Sequence, residues 1–223
     1  PNTYAHPVVS FILAQRWLQM INIPLWTISL IPLLFMLILL FMLPPVQLGL
    51  FTTGFTASAA EFLLLIAFQI TYGYIYQMAG MIIMLFMAGL AAGSGFLHRY
   101  IKNDKTSFIR VQMLLGILII LMPLFIIWSS MPALFYLAGI IIGLFTVITG
   151  IITGLQFHLS TCLSRGNPSS VAASTYGADL AGSAFGIFFI ALFVYPLAGL
   201  YLTGVFLALI NFAVAARLRL HKI

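Results

Sequence analysis

The chain has 223 residues, of which 63% are hydrophobic and only 5% charged, with a mean hydropathy of +1.19. Soluble domains carry about 25% charged residues, so this composition cannot cover a water-facing surface. The net charge of +6 is set by nine Lys and Arg against three Asp and Glu, and in a membrane chain the placement of those cations matters more than their sum.

Taken in chain order, residues 8–22 form an amphipathic stretch. Gln15, Arg16, Gln19 and Asn22 gather on one side, and Phe11, Ile12, Leu18 and Ile21 lie largely opposite. Pro24 ends it, which predicts an interfacial helix lying along the membrane. Seven apolar runs follow at 25–43, 48–72, 76–97, 111–129, 132–157, 171–194 and 198–216. Each approaches the roughly 20 residues that a bilayer requires. The breaks carry turn chemistry: Pro44-Pro45, Gly73, the polar loop 98–110, Ser129-Ser130, the run 164–168 and Pro196. The expected fold is all-α, a polytopic bundle of about seven transmembrane helices. Its divisions are the interfacial segment 1–24, the helical domain 25–217 and a basic tail 218–223. The chain opens on Pro1 and shows no cleavable signal sequence, which suggests processing upstream or a longer parent chain.

Seven alternating spans with the carboxyl terminus inside place Arg99, Lys102, Lys105, Arg110, Arg165, Arg217, Arg219 and Lys222 on one face and leave Arg16 on the other. The positive-inside rule favours that arrangement. The expected location is a prokaryotic cytoplasmic membrane with a cytoplasmic tail.

Several spans carry small residues at helical spacing: Gly89 and Gly93 in the third, Gly139, Gly143, Thr146, Gly150 and Gly154 in the fifth, Gly182 and Gly186 in the sixth. Such patterns let helix backbones approach in lipid, where the hydrophobic effect gives no help. Packing within the bundle is the expectation; a partner surface is the sharper alternative.

Of the three acidic residues, Asp104 lies in the basic loop and is expected to be solvated. Glu61 and Asp179 fall inside spans, where an ionised side chain costs at least about 2.5–3.5 kcal/mol. Glu61 shares a helix face with Gly54, Ser58 and Leu65; Asp179 shares one with Thr175, Gly182 and Gly186. Gln69 and Tyr72 add polar groups toward the far end of the second span, and Tyr176 lies one turn before Asp179. These five residues are the candidates for binding a proton or substrate. The competing reading is a carboxyl group that only hydrogen-bonds hydroxyls and locks helices together.

His98 and His158 near span ends are candidate haem or quinone ligands, although polar rings at headgroup level are the plainer reading. No cofactor or metal is predicted. HExxH, GxSxG, Walker and CxxCH patterns are absent, GLAAGSG at 89–95 lies inside an apolar span rather than after a strand, and no catalytic site is expected. Cys162 is the single cysteine and cannot form an internal disulfide.

Gly54-Phe55-Thr56 through Glu61, FQITYGYIYQMAG at 68–80, LFMAGLAAGS at 85–94, YGADLAGSAFG at 176–186 and YPLAGL at 195–200 together resemble the membrane-spanning region of the spermidine-synthase-like membrane proteins. That family is distantly reminiscent of major-facilitator transporters. The resemblance covers roughly 48–216 and implies the membrane scaffold, with Glu61, Gln69 and Asp179 at its polar positions. The soluble aminopropyltransferase domain common in that family is absent from these 223 residues, so aminopropyl transfer is not implied. The leading functional expectation is a non-catalytic membrane subunit or anchor that packs with partner proteins in the bilayer, with no nucleic-acid partner. The alternatives are a small transporter of protons or polyamine-like organic cations, using Glu61 and Asp179, and an electron-transfer subunit holding haem or quinone.

Overall fold

A computed structural model describes residues 42–73, 76–129 and 135–220, with isolated positions 12, 15, 16, 34 and 38 before them. The predicted interfacial helix at 8–22 and the first predicted span at 25–43 lie outside the described residues. Within them all regular structure is helical: α1 Pro45–Tyr72, α2 Tyr76–Gly95, a 3-10 turn Leu97–Tyr100, α3 Lys105–Ser129, α4 Phe135–Leu163, α5 Pro168–Phe189, a single π-helical stretch Ile190–Val194, and α6 Tyr195–Leu220.

The helix boundaries follow local chemistry. Pro45 and Pro168 occupy the first position of α1 and α5, where a missing N–H costs nothing and the fixed φ suits a helix. α1 ends at Gly73, whose φ of 81° is the left-handed cap and whose N–H donates to the Gln69 carbonyl at 2.8 Å. Asp104 caps α3 by accepting the Ser107 N–H at 2.8 Å. Residue 110 therefore belongs to a helix that starts at Lys105, and the predicted loop 98–110 shrinks accordingly. Likewise α4 runs on to Leu163, so His158 lies inside a helix rather than ending one.

Four helical runs are long and apolar enough to cross a membrane: Pro45–Tyr72, Lys105–Trp128, Leu137–Leu163 and Pro168–Leu220. Ala79–Gly95 is apolar but shorter. The last run is two arms. At Gly199 the backbone leaves helical values for φ 70° and ψ −176°, and Phe189 of one arm meets Phe206 of the other with ring centroids 6.2 Å apart. The reversal falls at Gly199, not at Pro196 as the sequence suggested, because proline fits the first turn of a helix while only glycine adopts that φ/ψ pair without strain.

Contacts give the helix directions. Gly182 and Gly186 of α5 face Phe51 and Phe55 of α1, and Gly150 and Gly154 of α4 face Phe86 and Leu90 of α2; both pairs are parallel. α3 and α6 are antiparallel, with Gly116 against Phe212 and Gly204 against Pro123. α3 and α4 are antiparallel too, with Gln112 bonded to Gln156 and Phe125 near Phe145. Successive helices therefore alternate in direction. Arg99, Lys102, Lys105, Arg165, Arg217 and Arg219 come to one end of the bundle, where the Lys105 ammonium donates to the Arg219 carbonyl at 3.3 Å.

The surface is apolar while polar side chains lie inside. Met84, Leu114, Ile140, Leu144, Leu202 and Leu209 are exposed, whereas Thr53, Thr56, Gln112, Gln156 and Asn211 are almost fully buried. An exposed apolar face of this extent suits contact with lipid.

Candidate functional site

The bundle is held by two devices. The first is a pair of glycine contacts. A Cβ built on Gly89, Gly93, Gly150 or Gly154 would collide with backbone of the facing helix, so α2 and α4 touch main chain to main chain. Gly182 and Gly186 do the same for α5 against α1. The predicted stripe in α4 is not uniform. Gly143 meets only Leu85 Cδ1 at an ordinary 3.5 Å, and Gly139 faces the Tyr72 ring, whose hydroxyl oxygen accepts the Gly139 N–H at 2.8 Å.

The second device was not singled out from the sequence. Gln112 of α3 stands at the centre of a buried amide network. Its Oε1 accepts from the Thr53 hydroxyl at 3.1 Å and from Gln156 Nε2 at 2.7 Å, and its Nε2 donates to Asn211 Oδ1 at 2.6 Å. Asn211 Nδ2 in turn donates to Thr56 at 2.7 Å and to the Leu207 carbonyl at 2.8 Å. Four helices, α1, α3, α4 and α6, are joined by these bonds. The available signal was the presence of Gln112, Gln156 and Asn211 inside apolar runs, since amides in hydrocarbon bond across helices.

Beside this polar core lies a cavity of about 520 Å³ walled by α1, α2, α4 and α5. From α1 come Ser58 and Glu61, and from α5 come Tyr176, Asp179 and Ser183. α2 contributes Phe86, Met87 and Leu90, and α4 contributes Thr153 and Phe157. The glycine contacts position the acids. Gly54 on α1 faces the Asp179 carbonyl, and a Cβ there would sit 2.8 Å from Asp179 Oδ1. The missing side chain makes room for the carboxyl group. Asp179 thus packs level with Gly54, two turns before Glu61 on the same helix. Both acids line one space.

The walls offer acceptors and few free donors. The Ser58 hydroxyl donates to the Ser183 carbonyl at 2.8 Å, and the Thr153 hydroxyl donates to the Thr149 carbonyl at 2.8 Å. Asp179 Oδ1 is buried with no hydrogen-bond partner among the described residues. Among the described residues no Lys, Arg or His lines the cavity. The described lining offers an anion no cationic side chain, whereas a proton or a cation would meet two carboxyl groups with aromatic rings beside them.

The other candidates separate from this site. Gln69 is exposed, and Tyr72 ties α1 to α4 rather than lining the cavity. His98 and His158 come together with ring centroids 4.1 Å apart, in van der Waals contact with no gap for a haem plane between them. Cys162 Sγ lies 3.5 Å from His158 Nε2. Among the described residues no group of three or more His, Cys, Asp or Glu is placed to hold a metal ion.

Compared with protein-family models, curated proteins and solved structures, the chain matches none, so the family resemblance of its motifs rests on the residues alone.

Proposed function

We propose that the chain is an integral membrane protein that binds a cation, either a proton or an organic cation, between Glu61 and Asp179 and carries it across the bilayer. The observation that supports this reading most is the convergence of the chain's only two intramembrane acids on one cavity with no basic residue among the described residues that line it. Carboxyl groups that served only to clasp helices would be expected to hydrogen-bond across the packed interfaces. There the amide network and the glycines already do that work, and Asp179 Oδ1 would not be left without a partner.

On this proposal the chain has seven spans and a cytoplasmic tail in a prokaryotic inner membrane. The clustering of basic residues at one end of the bundle fits that orientation. The two glycine-clasped pairs, α1/α5 and α2/α4, flank the cavity and are the natural rigid units for exposing it alternately to either side. The anchor expectation rests on the shortness of the segments between helices and gives no role to this cavity.

The test is thermal unfolding in lipid nanodiscs against a panel of alkali ions, tetramethylammonium, decyltrimethylammonium and spermidine. A cation that binds the folded state at one hundred times its Kd adds about 2.7 kcal/mol. At least one member should raise Tm in the wild type and fail to do so in Glu61→Gln and Asp179→Asn. Equal shifts in all three proteins, or none, would overturn the organic-cation reading.

A further inference from the structure

The cavity's mouth and walls say more about its occupant, and the argument rests on the cation reading above. α2 packs on α4 and α5 packs on α1, so the cavity opens between α2 and α5. Its rim there is Met87, 55% exposed, together with Tyr176 at 57% and Leu180 at 50%. These residues are far from the helix ends. Leu180 lies about 18 Å along α5 from Pro168, and Tyr176 and Met87 each lie about 12 Å from the nearer helix end, Pro168 and Gly95, at 1.5 Å per residue. In a bundle that spans the bilayer, a mouth at that depth rimmed by exposed apolar side chains suits contact with hydrocarbon. The interior is mostly apolar, with Phe86 and Phe157 as its largest walls, and the acids are its only ionisable carboxyl groups. The volume of about 520 Å³ greatly exceeds the roughly 30 Å³ share of a single water. It falls in the range of sites that hold organic molecules.

We infer that the site takes amphiphilic organic cations directly from the bilayer, the cationic head against Glu61 and Asp179 and the apolar body passing between Met87 and Leu180. A small hydrated cation would have to shed its water and cross lipid to reach this mouth, which is costly. A cation with a hydrocarbon tail is already concentrated there, and each buried methylene adds about 0.8 kcal/mol. The aromatic walls suit a head that carries its charge on alkylated nitrogen.

The experiment is carbodiimide labelling of the full chain in lipid nanodiscs, mapped by mass spectrometry. Dicyclohexylcarbodiimide reaches carboxyl groups from the lipid phase, and the water-soluble ethyl-dimethylaminopropyl carbodiimide reaches them from water. The lipid-soluble reagent should modify Glu61 or Asp179 several times faster than the water-soluble one, with the adduct lost in the matching Glu61→Gln or Asp179→Asn protein. Decyltrimethylammonium at about ten times its Kd should slow labelling about elevenfold, while tetramethylammonium at the same concentration should leave it unchanged. Equal protection by both cations, labelling at least as fast by the water-soluble reagent, or labelling by neither reagent would overturn entry from lipid and leave the cation site standing. Protection by neither cation would overturn the organic-cation site as well.

Discussion

Replacing Gly182 with alanine adds one methyl group at the tightest point between α1 and α5. That methyl would collide with the Phe51 carbonyl oxygen, and its next neighbours are Phe51 C at 2.8 Å and Cα at 3.0 Å. All three are backbone atoms, so no side chain can swing aside and the helices must part. Overpacking costs about 1–3 kcal/mol, with rigid contacts at the upper end. A loss of about 2–3 kcal/mol corresponds to a roughly 30- to 140-fold fall in the folded-to-unfolded ratio. Gly177→Ala, little more than a turn earlier on α5, is the control. Among the described residues nothing lies within 4 Å of its added Cβ, so the helix gains about 0.5–1 kcal/mol from alanine's smaller entropy cost. The comparison is read as fraction folded against denaturant in mixed micelles for wild type and both variants. If Gly182→Ala proves as stable as Gly177→Ala, close backbone contact is not what holds α1 to α5.

Gln112→Leu removes the hub of the amide network and strands Asn211 Oδ1 and a Gln156 amide hydrogen in a dry interior. At about 1–3 kcal/mol per orphaned group, it should cost more in the same denaturant assay than Gln69→Leu on the exposed face, and equal losses would discount the network. Gly199→Ala forces an L-residue into φ 70°, ψ −176°, a strain of about 1–3 kcal/mol. The reversal should loosen, seen as faster limited proteolysis of the native bonds around 198–200 in the variant than in wild type; an unchanged rate would place the reversal elsewhere. Asp104, held below the ordinary carboxylate value by the Ser107 hydroxyl and backbone N–H beside it, should report its own ionisation through the Ser107 amide NMR shift. The folded value is depressed, so the cap is fully formed above the unfolded value of about 3.9 and is lost only as pH falls through the lower folded one. A midpoint at or above 3.9 would show that the cap does not form.

Much of this architecture was legible because its causes are local. Pro45, Gly73 and Pro168 end or begin helices through their own backbone constraints, and the spacing of Gly89 with Gly93 and of Gly182 with Gly186 declares a close-packing face before any partner is known. The partners themselves were not legible. Nothing in the apolar run around Gly150 states that it lies against Phe86 rather than another helix, because lipid-facing and protein-facing positions are equally hydrophobic. The fold-back at Gly199 was misplaced to Pro196 for a related reason, since proline is the louder punctuation although it suits a helix start.

The site was half visible. An acid in an apolar span is costly wherever it stands, so Glu61 and Asp179 could be named from sequence, and Tyr176 followed from its turn beside Asp179. That both acids share one cavity depends on α1 and α5 running parallel with Gly54 opposite Asp179, a tertiary fact. Gln69 and Tyr72 lie on α1 like Glu61 but two turns or more beyond it, and helical spacing alone could not place them outside the cavity.

The central claim is that Glu61 and Asp179 hold one cation together. The most direct measurement is equilibrium binding, in nanodiscs, of the panel cation that most stabilises the wild type, carried through Glu61→Gln, Asp179→Asn and the double variant. Groups that share a ligand are non-additive. Each single variant should weaken binding about tenfold or more, roughly 1.4 kcal/mol, and the double variant should weaken it by clearly less than the product of the two. Losses that multiply, or a single variant that binds like wild type, would contradict a shared site.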